Sequence, residues 1–190
     1  MTLKVTHYGD SILKKKGKRV TEFTDTLSSL YKEMLKTMYE EEGIGLAAQQ
    51  IGLSIQFCVV DVPSDPDYPI TCILDGKPLS PQLLMPMGLA NPKIDILPSD
   101  EYYYEEGCLS FPDIKGDVAR PESILVRYQD IDGNSHSLEC DGLLGRCIQH
   151  EVDHLNGILF IDRMEKEAYA EIKQEVQTLK KNTQSVLKQQ

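Results

Sequence analysis

The chain has 190 residues, 41% hydrophobic and 26% charged, with a formal net charge of −10 at pH 7. That length fits one compact domain, residues 1–190, with an adequate core. The acid excess excludes broad, non-specific binding to DNA and other nucleic acid, though it leaves room for a local basic patch. No apolar run approaches the ~18 residues of a membrane span.

The opening "MTLKVTHYGD" has neither an apolar signal core nor an Arg-rich import pattern, so secretion and organelle import gain no support. The first helix is expected at Asp25 to Glu41, where Leu27, Leu30, Tyr31, Met34, Leu35 and Met38 recur at helical spacing. Thr24 or Asp25 can cap its start, and Gly43 follows its end. "GIGLAAQQIG" then reads as a Gly- and Ala-rich turn, and Ser54 to Val62 as a buried strand. Residues 63–86 hold six of the ten prolines and read as a long irregular loop. Strands resume at Ala90–Leu97, Glu101–Glu106 and Ser123–Asp130, and the "DGN" turn at Asp132–Asn134 predicts a hairpin into Ser135–Cys140. Asp141 can cap a second helix that runs to Asn156 and stops at Gly157. A charged final helix occupies 164–190, its helical run ending near Leu187. Short strands around one motif helix, with N-terminal and C-terminal helices, predict an α+β fold: small antiparallel or mixed sheets wrapped around that central helix.

Five cysteines, Cys58, Cys72, Cys108, Cys140 and Cys147, form no CxxC pair. An odd count without a signal peptide predicts reduced thiols that pack as small apolar residues.

The central helix carries "HEVDH", His150 to His154. Residues four apart sit on one helical face, about 6 Å along the axis, so both imidazoles can reach one cation. Glu151 lies about 100° round from His150 and about 60° from His154, which brings its carboxylate beside that cation. From there it can take a proton from water. The flanking residues Leu143, Leu144, Cys147, Ile148, Val152, Leu155, Ile158 and Leu159 are apolar. Polar groups in such a helix are costly to bury without partners, and a divalent metal is the partner that fits. Catalytic sites of this type hold three protein ligands and leave a fourth position for water. The third ligand could come from His7, His136, an acid or a cysteine. The acids downstream, Asp162, Glu165, Glu167 and Glu171, read as a solvated face.

Three motifs occur in order: "GIGLAAQQ" at Gly43–Gln50, "EGCLSFP" at Glu106–Pro112, and "QHEVDHLNG". Together they resemble the peptide deformylase family, and the likeness extends through "HYGDSILKK", "RPESILVRYQD" and "DGLLGRCIQHE". The resemblance implies that Cys108 joins His150 and His154 as the metal ligands. It implies that Glu151 is the proton carrier, with the Gln50 amide and the Leu109 backbone N–H as oxyanion donors. The implied reaction removes the formyl group from N-terminal formylmethionine of newly made polypeptides, releasing formate. Ile44, Leu143 and Cys147, with the His150 ring edge and Glu106 nearby, would line the methionine pocket, and Ile44 and Gly45 would bond to the extended peptide. The implied cofactor is one divalent ion per chain, Fe2+ in cells, replaceable by Zn2+, Ni2+ or Co2+. The implied setting is the bacterial cytosol, with nascent formylmethionyl peptides as partners and no membrane.

The sequence departs from the family pattern in places. Gly9-Asp10 stands where Pro-Asp is usual, Lys115 where Arg is frequent, and the 63–86 segment is long. The C-terminal helix resembles that of the subgroup typical of Gram-negative bacteria and organelles. Its Lys173, Lys180, Lys181 and Lys188 offer a transient ribosome contact, although its mixed charges favour a solvated face. Asp153 is expected to orient the motif helix through Arg120. A metallopeptidase shares HExxH but takes its third ligand downstream, and a structural zinc site normally closes with four protein ligands.

Overall fold

The structure is a computed structural model that describes residues 3–189. Met1, Thr2 and Gln190, at the ends of the expected domain, lie outside the described residues. The fold is α+β. In chain order it comprises α1 (Asp25–Glu40), β1 (Gly45–Ala47), β2 (Phe57–Val60), β3 (Cys72–Leu74), β4 (Lys77–Pro78), α2 (Pro81–Leu84) and β5 (Met87–Ile96). Then follow β6 (Glu101–Cys108), β7 (Phe111–Pro121), β8 (Ile124–Gln129), β9 (Ser135–Cys140), α3 (Gly142–Leu155) and α4 (Lys166–Leu187). Seven strands form one sheet in the order β1-β2-β5-β8-β9-β3-β4, and β6 and β7 form a separate ribbon. All the strand pairings are antiparallel.

Strand β2 explains how the layers meet. Its four residues are all buried, because Phe57 and Val59 face α1 while Cys58 and Val60 face α3. An apolar run without alternation is what a strand covered on both faces requires. On the α1 side, Leu27, Met34 and Met38 pack against Leu46, Phe57, Val59 and Ala90. On the other side, Leu144, Ile148, Val152 and Leu155 of α3 pack against Leu89, Val126 and Leu138. A third cluster joins Phe111, Ile114 and Val118 of β7 to Phe160 and to Val176 of α4.

Several expectations change. The segment 63–86 is not an irregular loop: it contains β3, β4 and α2, and β3 pairs with β9. Proline density hid this, since the strands are only two or three residues long. "GLA" at Gly45–Ala47 is an edge strand, not a turn. β7, eleven residues long, replaces a stretch with no assigned element. Thr24 occupies the cap position of α1 but makes no side-chain capping bond. Asp141 likewise turns away from α3 and accepts from the Thr71 backbone N–H at 2.7 Å, tying the excursion to the helix start. Gly9 is more than a local turn variant. Its φ is +121°, and a Cβ there would lie 2.7 Å from the Lys180 carbonyl oxygen, so a glycine lets α4 approach.

Candidate metal centre and active site

Helix α3 is buried throughout Leu144–Leu155, so its polar residues must find partners inside the protein. His150 and His154 lie one turn apart with ring centroids separated by 4.9 Å. The β6–β7 turn delivers Cys108 from the neighbouring ribbon. A register shift between Gly107 and Cys108 interrupts the ladder there, which is how such irregularities re-aim a side chain. Cys108 Sγ lies 3.3 Å from His154 Nε2. One donor atom from each of Cys108, His150 and His154 lies within 4.8 Å of the other two, and among the described residues this is the one such donor group found. His7 lines the adjoining cleft without joining the triad. His136 lies elsewhere, between Asp75 and Asp130.

The triad fits a divalent cation. A soft thiolate with two imidazoles suits zinc, iron, nickel or cobalt. Glu151 Oε2 and His154 Nδ1 are buried here without a hydrogen-bond partner among the described residues. The two imidazoles are shifted in opposite directions. Burial opposes a proton on His150, yet hydrogen bonds to Cys108 and Glu106 raise its pKa to about 10. Burial and the neighbouring His150 hold His154 well below its ordinary value.

A buried ionic chain supports His150. Its Nδ1 meets Glu106 Oε2 at 3.0 Å, leaving Nε2 for a metal. Arg120 donates to both oxygens of Glu106, at 2.6 and 3.0 Å, and Arg146 adds a third contact at 2.8 Å. Burial would raise the Glu106 carboxyl, but His150 and Arg120 overcome it and hold the group well below the usual carboxylate range. Arg120 also donates to Asp153 at 2.8 Å, and Asp153 accepts from Arg163 at 2.6 Å. The Asp153–Arg120 contact matches the sequence expectation. Arg146 and Arg163 escaped the sequence reading. Arg146 stands four residues before His150 on the motif helix, and that spacing was the available signal.

Glu151 and Gln50 face the triad. A Cβ on Gly45 would lie 2.3 Å from Glu151 Oε1 and 2.9 Å from Cys147 Sγ, so β1 can pass this close only as glycine. Burial pushes the Glu151 carboxyl up to about 7, against the opposing pull of His150 and Arg120. The Gln50 amide is fixed in orientation: Oε1 accepts from the Ala47 N–H at 2.8 Å, and Nε2 points to Ser110 Oγ at 3.3 Å and Cys108 Sγ at 3.5 Å.

A cleft of about 600 Å³ opens over these groups. It is lined by Ile44, Gly45, Gln50, Glu106, Cys108, Leu109, Leu143, Cys147, His150 and Glu151. Of the residues assigned to the metal, the proton, the oxyanion and the substrate pocket, His154 is the one that does not line it. Leu143 and Leu109 are half-buried and Cys147 is buried. The Glu106 carboxylate is occupied by His150, Arg120 and Arg146, so this residue serves the ligand-bearing helix. Lys115 lies at the mouth, paired with Glu105 at 3.5 Å.

A thiol, two imidazoles and a buried carboxylate around one point on a HExxH helix, under a peptide-sized cleft, define the class of metal-dependent hydrolases. The sequence profile of polypeptide deformylases matches residues 2–170. The chain is 55% identical over 189 residues to the peptide deformylase of Opitutus terrae, covering 99% of this chain and 98% of that one. It is 41% identical over 181 residues to the peptide deformylase of Methylacidiphilum infernorum, covering 95% and 94%. A crystal structure of a plant peptide deformylase matches with a TM-score of 0.83 at 36% identity, covering 96% of this chain and 91% of that one. The Synechococcus elongatus peptide deformylase, solved in complex with actinonin, matches with a TM-score of 0.75 at 39% identity, covering 95% and 85%. The chain belongs to the polypeptide deformylase family. It is a metal-dependent enzyme that removes the N-formyl group from newly made polypeptides. No helix among the described residues is long and apolar enough to cross a membrane.

Proposed function

We propose that Cys108, His150 and His154 hold one divalent cation and that Glu151 carries the proton in deformylation of N-terminal formylmethionine. The observation that carries this reading is the donor triad within 4.8 Å, beside a buried carboxylate with an unpartnered oxygen. The cation, when bound, supplies Lewis acidity and an activated water. Glu151 would take a proton from a water attacking the formyl carbon and return it to the leaving amine. The Gln50 amide and the Leu109 backbone N–H donate to the developing oxyanion. One such donor is typically worth about 10²–10³-fold in rate. The bond from Ala47 to Gln50 Oε1 keeps the NH2 group turned inward, so little reorganisation is needed. Glu106 holds the His150 ring in its ligating tautomer.

For the substrate, Ile44, Leu143 and Cys147 form the apolar wall that takes the methionine side chain. Among the described residues β1 pairs only with β2 and lies at the sheet edge. Its outer edge at Gly45, next to Ile44 whose carbonyl already accepts from the Asp61 N–H at 2.9 Å, suits a peptide added as an extended strand. We assign the whole chain to one catalytic domain, acting in the cytoplasm, with Fe2+ as the cellular metal and Zn2+, Ni2+ or Co2+ as replacements. Lys166 and Lys173 of α4 are exposed among acids, whereas Lys180 and Lys181 are exposed on its acid-free half beyond Glu175, on a helix that packs on β7 through Val176. The packing makes α4 a clamp on β7, and its acid-free end is the part that would offer a transient ribosome contact.

Anaerobic purification with metal analysis, followed by formate release from formyl-Met-Ala-Ser, tests the reading. One divalent ion per chain and rapid formate release are expected. Glu151→Ala should retain the metal and lose nearly all turnover, and full activity in it would remove the assigned proton carrier. Cys108→Ala should lose the metal, and unchanged metal content would show the third ligand to be misassigned.

A further inference from the structure

The acidic chain contains one concentrated basic run. "KKKGKR", Lys14 to Arg19, holds five of its twenty lysines and arginines in six positions. All five side chains are exposed. Lys14 is neutralised by Asp162. Lys15, Lys16, Lys18 and Arg19 have no ion pair among the described residues, and Arg19 meets only the neutral Gln129 amide at 3.4 Å.

The run is held rigidly. The Gly17 N–H donates to the Leu155 carbonyl and the Lys18 N–H to that of Ser54, both at 2.8 Å. The carbonyl of Lys18 accepts from the Gln56 N–H at 2.8 Å. The carbonyls of Lys15, Lys16 and Gly17 accept from the side chains of Gln49, Ser54 and Gln56, at 3.4, 3.1 and 3.3 Å. With the backbone turned inward on both donors and acceptors, the cationic side chains are left pointing outward as a fixed strip. The strip borders a groove of about 1010 Å³ walled by Lys16, Arg19, Lys93 and Arg163, along with α3 residues that do not line the catalytic cleft. Of the acids in this groove, Asp153 is taken by Arg120 and Arg163, and Asp95 by Arg127. Glu101 is the remaining one.

We propose that this strip and groove bind the phosphate backbone of RNA, docking the enzyme on an RNA surface while the catalytic cleft stays open. A net charge of −10 argues against diffuse polyanion binding, so a local, pre-ordered cluster of cations is the form such binding must take. RNA is favoured over an anionic membrane by what walls the groove. Lys16, Arg19 and Lys93 stand in a wall that has no aromatic side chain to insert into lipid, and the Asn156 amide keeps one N–H beyond its bond to the Val152 carbonyl for a sugar or phosphate oxygen. The substrate class agrees, because newly made polypeptides emerge from a particle whose surface is largely RNA. The proposal is independent of the catalytic roles assigned above, which free-peptide turnover tests separately.

The test uses the full chain in its metal-loaded form. Binding to a mixed-sequence RNA hairpin, and co-sedimentation with ribosomes, are measured from low to moderate salt. The variant Lys15→Gln/Lys16→Gln/Lys18→Gln/Arg19→Gln is compared with Lys173→Gln/Lys180→Gln/Lys181→Gln/Lys188→Gln in α4. The strip variant should lose tenfold or more in affinity on the order expected for four phosphate contacts, and flatten the log–log salt slope by about 3. Its thermal midpoint and its turnover of formyl-Met-Ala-Ser should stay unchanged. Four results overturn the proposal: no RNA binding by the native chain, equal binding by the strip variant, loss only in the α4 variant, or tighter binding to vesicles of phosphatidylglycerol and phosphatidylcholine than to RNA.

Discussion

Replacing Arg120 by methionine tests whether the buried ionic chain holds the metal-binding geometry. Arg120 is 4% exposed and makes three contacts of 2.6–3.0 Å to Glu106 and Asp153. Methionine fills much of the same volume, so the main loss is charge, not packing. Glu106 would keep Arg146 and His150, and Asp153 would keep Arg163. Removing one partner of a buried ion pair typically costs about 3–5 kcal/mol, which for a chain of this size lowers the thermal midpoint by roughly 6–20 °C. Loosening the group behind a ligating imidazole typically weakens metal binding by about 10–100-fold. Both effects are measurable on one preparation, by thermal denaturation and by chelator competition. Arg120→Lys should recover part of the stability, since one ammonium cannot match a fork that grips both oxygens of Glu106 and also Asp153. A midpoint within about 2 °C of the native protein together with unchanged metal affinity would refute the reasoning. Arg146 would then suffice to hold Glu106.

Other predictions address separate parts of the molecule. Gly45→Ala should keep its metal but lose most formate release, because the new Cβ falls 2.3 Å from Glu151 Oε1. Steady-state kinetics with metal analysis checks this, and native turnover would contradict the steric account. Gly9→Ala should loosen α4, since its Cβ meets the Lys180 carbonyl at 2.7 Å in a left-handed backbone. Limited proteolysis should then cut within Lys166–Leu187 sooner. The surface clasp of His136 with Asp75 and Asp130 should be pH-dependent. Hydrogen bonding to Asp75 raises the His136 pKa above 6.5, and hydrogen bonds lower both carboxyls below 3.8. The histidine part is fully present below 6.5 and fades as pH rises through the raised value. The carboxylate part is present above 3.8 and fades as pH falls below it. His136→Gln should therefore destabilise most near pH 5, by no more than about 1 kcal/mol for so exposed a site, and hardly at all near pH 9. An equal change in midpoint at both pH values would exclude the clasp.

What was legible in the sequence was local. The i, i+4 histidines and the apolar spacing around them identify α3, because a helix records its neighbours in its own period. The strands of 63–86 were invisible for the opposite reason: segments of two or three residues carry no period, and their order depends on β9, some sixty residues away. The ionic chain was only partly readable. Glu106 on β6 and Arg120 on β7 meet diagonally, Glu106 being paired with Gly116 and Arg120 with Tyr102, so their contact depends on a register that no local pattern encodes. Arg146 and Asp153 sat in plain view on the motif helix, but Glu106 and Arg120, which they bind, lie on the ribbon.

The same division explains why the donor set spans two elements. One buried helix can offer two imidazoles on a face, but a third donor at i+7 or i+8 would lie two turns from the first, about 11 Å along the axis. That exceeds the span of a single ion's ligand shell, so the third donor must come from another element. Here it comes from the ribbon, and this makes the position of the ribbon against α3 decisive. Glu106 lies two residues before Cys108 on β6 and is tied to Arg146 and His150 of α3. The ionic chain therefore clamps the strand that carries the thiol to the helix that carries the imidazoles, which fixes the spacing of all three donors at once. An apolar replacement of the chain could match its stability, but it would supply no directional contact to His150 Nδ1 and so would leave that ring free to turn.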